Sequence, residues 1–124
     1  MLSELLLYFG ALLLTVWGAA HLFPTKNVVS DFGDISEDNK NIIAMEWIIE
    51  GVSLIFIGLL ISLVTWVDSS SPVSIAVYGL TVVALFVLAA VSFFTGFKVN
   101  FLPFRMCPFV LTLSALLVAM GGIA

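Results

Sequence analysis

The sequence predicts an all-α fold, a polytopic membrane protein built as a bundle of four transmembrane helices, and three observations predict it. Of 124 residues, 62% are hydrophobic and 10% are Asp, Glu, Lys or Arg, where a soluble domain carries about a quarter charged. Four stretches free of formal charge are each long enough to span or nearly span a bilayer, and spans of about 20 residues each would use roughly two thirds of the chain. None alternates with period two, so within a bilayer their backbone must satisfy its own polar groups as helices. A single membrane domain follows, with no room for a second, soluble one.

The first span is read at 4–23. Sixteen uncharged residues lie between Glu4 and His21, and the apolar character continues through Leu22 and Phe23 to Pro24. This stretch resembles the apolar region of a secretory signal, but no basic segment precedes it and it approaches a full span, so it is expected to be retained. Leu2 replaces the Gly required for myristoylation, and no prenylation motif is expected at the other end.

The second span is read at 46–67. The seventeen residues from Gly51 to Val67 carry no formal charge and cover about 25 Å as a helix, slightly less than a hydrocarbon core. Glu50 therefore sits at or just inside the edge. The third span, 73–95, starts after the turn-forming run Asp68-Ser69-Ser70-Ser71-Pro72 and ends near Thr95-Gly96. The fourth, 106–124, places Pro108 in its first turn, where a missing N–H costs nothing.

Topology follows from the connections. Lys26, Lys40, Lys98 and Arg105 all fall on the side of the first and third loops, and none falls on the side of the termini and Asp68. The positive-inside rule makes the first side cytoplasmic and puts both termini outside, as expected for a protein of the plasma (inner) membrane. The formal charge of −4 leaves no basic stripe for nucleic acid. A single cysteine, Cys107, excludes an internal disulfide and a Cys-rich metal site.

Residues 24–41 form the one long polar segment, an acidic loop with Asp31, Asp34, Glu37 and Asp38. Ser36 reads as the N-cap of the second helix, with acids in the first turn where the macrodipole favours them. That helix is thus expected to begin before the membrane does, with Val28-Val29 and Phe32 lying against the bundle. Asp31-Phe32-Gly33 matches the kinase metal-binding tripeptide without any other kinase feature, and the acids lack calcium-loop spacing. A solvated acidic loop is the better reading.

A polar cluster gathers at the predicted cytoplasmic edge. His21 ends the first span, Glu46, Trp47 and Glu50 begin the second, and Arg105 and Cys107 begin the fourth. Glu46 and Glu50 are four apart and share a helix face, continued by Ser53. Like charges at that spacing call for a cation between them, and His21, Lys98 and Arg105 are the candidates. Ionisable groups in a membrane usually face the bundle interior or a cavity, which makes Glu50 and His21 the leading ligand-binding residues. The alternative is interfacial polarity, with a Glu complementing a helix dipole and a His meeting water. Cys107 reads either as a small packing residue or as a thiolate favoured by the helix start and Arg105. Three helices and no diagnostic spacing argue against a metal site here, so none is assigned. Gly51 and Gly58, seven apart, allow close helix approach within the bundle or in a homodimer, as Gly10 and Gly18 do on the first helix.

The residues Tyr8-Phe9-Gly10-Ala11 through Trp17-Gly18-Ala19-Ala20-His21-Leu22, then Glu46 and Glu50-Gly51-Val52-Ser53-Leu54 with Gly58, carry a family pattern. It resembles the first two helices of DoxX-like small four-helix membrane proteins and covers about half of the chain. The acidic loop and the segment Pro103 to Pro108 lie outside the resemblance. It implies a place beside quinone-linked or thiol redox enzymes and assigns no catalytic residue.

Function is accordingly read as that of an accessory or binding subunit whose edge cluster takes a small molecule, lipid or quinone, with the cofactor unknown. Two alternatives compete. A proton-coupled transporter fits the size of the small multidrug resistance family, but those proteins place a Glu in the middle of the first helix, where this chain has none. A membrane enzyme would use His21 and Glu50 as an acid–base pair on a lipidic substrate, as sterol isomerases do.

Overall fold

A computed structural model describes residues 1–123 as five helices in the order α1 (Leu2–Leu22), α2 (Thr25–Asp31), α3 (Glu37–Asp68), α4 (Pro72–Gly96) and α5 (Leu102–Gly122). The Ser36 hydroxyl accepts from the Asn39 backbone N–H at 3.2 Å, so α3 starts where the sequence places its cap. Its 32 residues reach about 48 Å, well beyond a hydrocarbon core of about 30 Å. The acidic first turns of α3 therefore stand clear of the bilayer. Ser71 caps α4 in the same way, accepting from Ser74 N–H at 3.1 Å, with Pro72 in the first turn.

Two elements differ from the sequence reading. The segment 24–41 is not all loop: after a turn at Phe23-Pro24 the chain forms α2, whose Val28 is buried, and α2 packs on α3. The second difference is in α5, which starts at Leu102 with Pro103 in its first turn, so Pro108 lies inside the helix. Lacking an N–H, Pro108 cannot serve the Phe104 carbonyl one turn back. That carbonyl instead lies against Gly96 of α4, so close that a Cβ there would come within 2.5 Å of its oxygen.

Packing runs round the bundle as α3 on α1, α1 on α5 and α5 on α4, while α3 and α4 touch far less. Small residues bring α1 and α3 together. A Cβ on Gly18 would lie 2.6 Å from the Gly51 carbonyl oxygen, and one on Gly58 would meet Thr15 and the Ala11 carbonyl. The glycine stripe is thus used inside the bundle. The core comprises Leu7, Leu14, Ile61, Tyr78, Leu85 and Val118, all essentially inaccessible.

The hydrogen bonds between α3 and α4 lie at the end where the Asp68 turn joins them. Thr65 donates to the Ile61 carbonyl at 2.7 Å and therefore accepts from the fully buried Tyr78 hydroxyl at 2.8 Å. Ser74 donates to the Asp68 carbonyl at 2.6 Å. At the other end, which carries α2, nothing comparable ties the two helices among the described residues.

Outward faces are apolar: Leu12, Phe56, Leu59, Leu80 and Leu113 are each more than half exposed. Water would penalise that surface and lipid does not. All four long helices are apolar and long enough to cross a membrane. The chain is a small integral membrane protein with an all-α, four-helix architecture.

Candidate functional site

Separation of α3 from α4 at the α2 end opens a cleft of about 430 Å³, within the range of small-molecule sites. Its lips are the exposed Ser53 on α3 and Leu88, Val91 and Thr95 on α4, so it opens sideways, towards lipid. The floor is Leu54, Cys107 and Leu111, all buried. Trp17 and His21, four residues apart on one face of α1, close the back.

Most of the sequence-selected cluster meets here. His21 Nε2 lies 3.4 Å from Glu50 Oε2, with the histidine side chain 10% exposed and the carboxylate 49%. The separation suits an ion pair, but Nε2 makes no hydrogen bond. The His21 ring stacks on Trp47, with centroids 3.8 Å apart and planes 16° from parallel. Trp47 is fixed in turn by donating its indole N–H to the His21 backbone carbonyl at 2.6 Å and by an edge contact with Phe104 at 5.4 Å.

Cys107 sits in the cleft floor, and the Ser92 and Trp17 side chains lie beside its thiol. Arg105 does not join them. It is exposed, outside the cleft, and its Nε donates to the Val99 carbonyl at 3.3 Å. Glu46 is exposed and also stays outside the cleft. The basic side chain facing Glu50 is therefore that of His21, rather than a lysine or arginine of the second loop.

Sequence reasoning passed over Trp17, Ser92 and Thr95 as site residues. Trp17 was within reach, because the spacing Trp17-x-x-x-His21 puts both on one face. Ser92 and Thr95 could not be found that way, since only the tertiary gap between α3 and α4 makes their face a wall.

Two buried nitrogens in this site make no hydrogen bond. Trp17 Nε1, beside the Cys107 thiol, and His21 Nε2, 3.4 Å from Glu50 Oε2, are both inaccessible and neither meets hydrogen-bond geometry, and both residues line the cleft. An indole N–H can only donate, whereas Nε2 donates or accepts according to the imidazole tautomer. The site can thus hold a group that accepts from Trp17 and exchanges a proton or hydrogen bond with His21.

Compared with protein-family models, with curated proteins and with solved structures, the chain matches none.

Proposed function

We propose that the protein is a membrane-embedded binding subunit whose cleft takes a lipid-soluble ligand with a hydrogen-bonding head, a quinone or a lipid. The observation that carries this reading is the pair of buried nitrogens without a hydrogen bond, Trp17 Nε1 and His21 Nε2, on one cleft. A buried donor without an acceptor costs about 1–3 kcal/mol, which a ligand carbonyl or hydroxyl would recover. Entry between α3 and α4 suits a ligand that arrives through the bilayer. The resemblance to DoxX-like membrane proteins supports the same class of ligand, and the distribution of Lys and Arg supports a cytoplasmic position for the cleft's polar end.

The test is mass spectrometry of lipids and quinones that copurify with the protein. Wild type is expected to retain a defined species that Trp17→Phe, which keeps the ring and loses the N–H, retains much less well. Identical extracts from both proteins would refute the reading. The 3.4 Å approach of His21 to Glu50 favours a second reading, acid–base catalysis on the bound ligand. Chemical conversion of the copurified species by wild type, but not by Glu50→Gln, would establish it.

A further inference from the structure

Three side chains lining the lateral cleft can carry a charge: His21, Glu50 and Cys107. His21 and Glu50 sit at its polar end, 3.4 Å apart. With the carboxylate ionised, their sum is negative when the imidazole is neutral and zero when it is protonated, and an ionised thiol would only add negative charge. No Lys or Arg lines the cleft. Lys26, Lys98 and Arg105 are exposed, and Arg105 Nε donates to the Val99 carbonyl, so their charge acts from the wetted interface, where salt screens it. Trp17 lies one turn deeper than His21, about 6 Å further along α1. Its buried Nε1 makes no hydrogen bond, and an indole N–H can only donate. A head that serves Trp17 must therefore bring a lone pair below the interface, to a floor made by Leu54, Cys107 and Leu111.

We infer that the cleft selects a ligand with an uncharged oxygen head, a hydroxyl or a carbonyl on an apolar body, and rejects the anionic heads of the surrounding bilayer. The inference rests on the cleft being a ligand site and narrows what that site takes. An anion offers Trp17 an acceptor, but at that depth it loses its hydration and faces the Glu50 carboxylate with no Lys or Arg in the walls. A quaternary ammonium is attracted by Glu50 but brings no lone pair to the Trp17 N–H. A hydroxyl or carbonyl oxygen accepts from Trp17 and meets neither penalty. Selectivity thus comes from one buried donor that admits an oxygen and one carboxylate that repels a negative charge. Quinone rings and neutral single-chain lipids share this head chemistry, whereas phospholipids carry a phosphate that the cleft does not match.

The experiment loads nanodiscs containing the full-length protein with equal mole fractions of three probes of one chain length, hexadecanol, hexadecanesulfonate and hexadecyltrimethylammonium, and counts retained adducts by native mass spectrometry. Wild type is expected to retain the alcohol and neither ion. Glu50→Gln should raise the ratio of sulfonate to alcohol by about fivefold, the effect of one half-exposed charge. Glu4→Gln, at the opposite end of the bundle, should leave that ratio unchanged. Retention of either ion as well as the alcohol by wild type would overturn the inference while leaving the cleft a ligand site, as would an unchanged ratio in Glu50→Gln. Retention of no probe by wild type, or equal retention of the alcohol by Trp17→Phe, would instead refute the ligand site itself and the inference with it. Displacement of the alcohol by a decyl-substituted benzoquinone would assign the head to a ring carbonyl, and failure to displace it to a chain hydroxyl. Each is an uncharged oxygen head and supports the inference.

Discussion

Trp47 holds His21 twice, once through its ring face and once through its N–H. The indole stacks on the imidazole at 3.8 Å and donates to the backbone carbonyl of the same residue at 2.6 Å. This joins the end of α1 to α3 and fixes the imidazole at the back of the cleft. Trp47→Phe keeps a ring to stack on and loses the donor, which should cost about 1 kcal/mol. Trp47→Leu loses both and leaves a cavity, costing about 2–4 kcal/mol. Thermal unfolding in mild detergent should rank wild type above Trp47→Phe and Trp47→Phe above Trp47→Leu, and equal midpoints would show that the clasp carries no stability.

A pair of alanine substitutions separates close helix packing from helix propensity. A Cβ at Gly18 would lie 2.6 Å from the Gly51 carbonyl oxygen and 2.9 Å from the Ile55 nitrogen. Both are backbone atoms of α3, so relief requires the helices to part. Gly18→Ala should destabilise by about 1–3 kcal/mol. Gly79, in the first third of α4, has nothing within 4 Å of such a carbon. Gly79→Ala should instead stabilise by up to about 1 kcal/mol through helix propensity. Opposite shifts in unfolding midpoint are expected, and a tolerant Gly18→Ala would contradict the packing described for α1 and α3.

Ser114 is fully buried on α5, and its hydroxyl has no hydrogen-bond partner. Removing an unsatisfied buried hydroxyl removes its desolvation cost along with a small amount of packing. Ser114→Ala is therefore expected to unfold at the same temperature as wild type or higher. A clear loss of stability would mean that the hydroxyl is bonded in the membrane.

The features legible in the sequence are those fixed locally. The Ser36 cap and the Asp68–Pro72 turn depend on residues within a few positions of each other, and both could be read directly. The pairing of His21 with Glu50 was legible for another reason: a lone histidine at a span end has few counter-charges to meet. Short α2 was not legible, because Val28 and Val29 favour helix weakly and Val28 is held by packing on α3. Nor was the place of Pro108. An internal proline is unfavourable locally, and the close approach of the carbonyl it strands to Gly96, a residue of another helix, is a tertiary feature. The cleft itself depends on α3 and α4 parting at one end, which no local pattern encodes.

Orientation rests on the Lys and Arg distribution, and a labelling experiment decides it. All four basic residues, Lys26, Lys40, Lys98 and Arg105, lie on the α2 side of the helices, and none lies beside the Asp68 turn. Short loops rich in Lys and Arg stay in the cytoplasm during insertion, while acidic residues contribute little. The acids around α2 therefore do not offset the bias. In a Cys107→Ala background, cysteines at Asp34 and at Ser70 report the two sides, both positions being exposed. Asp34 is preferred to Ser36, whose hydroxyl caps α3. In intact cells an impermeant thiol reagent should label Ser70→Cys and spare Asp34→Cys until the membrane is permeabilised. The reverse pattern would turn the bundle over and place the polar end of the cleft on the outer face.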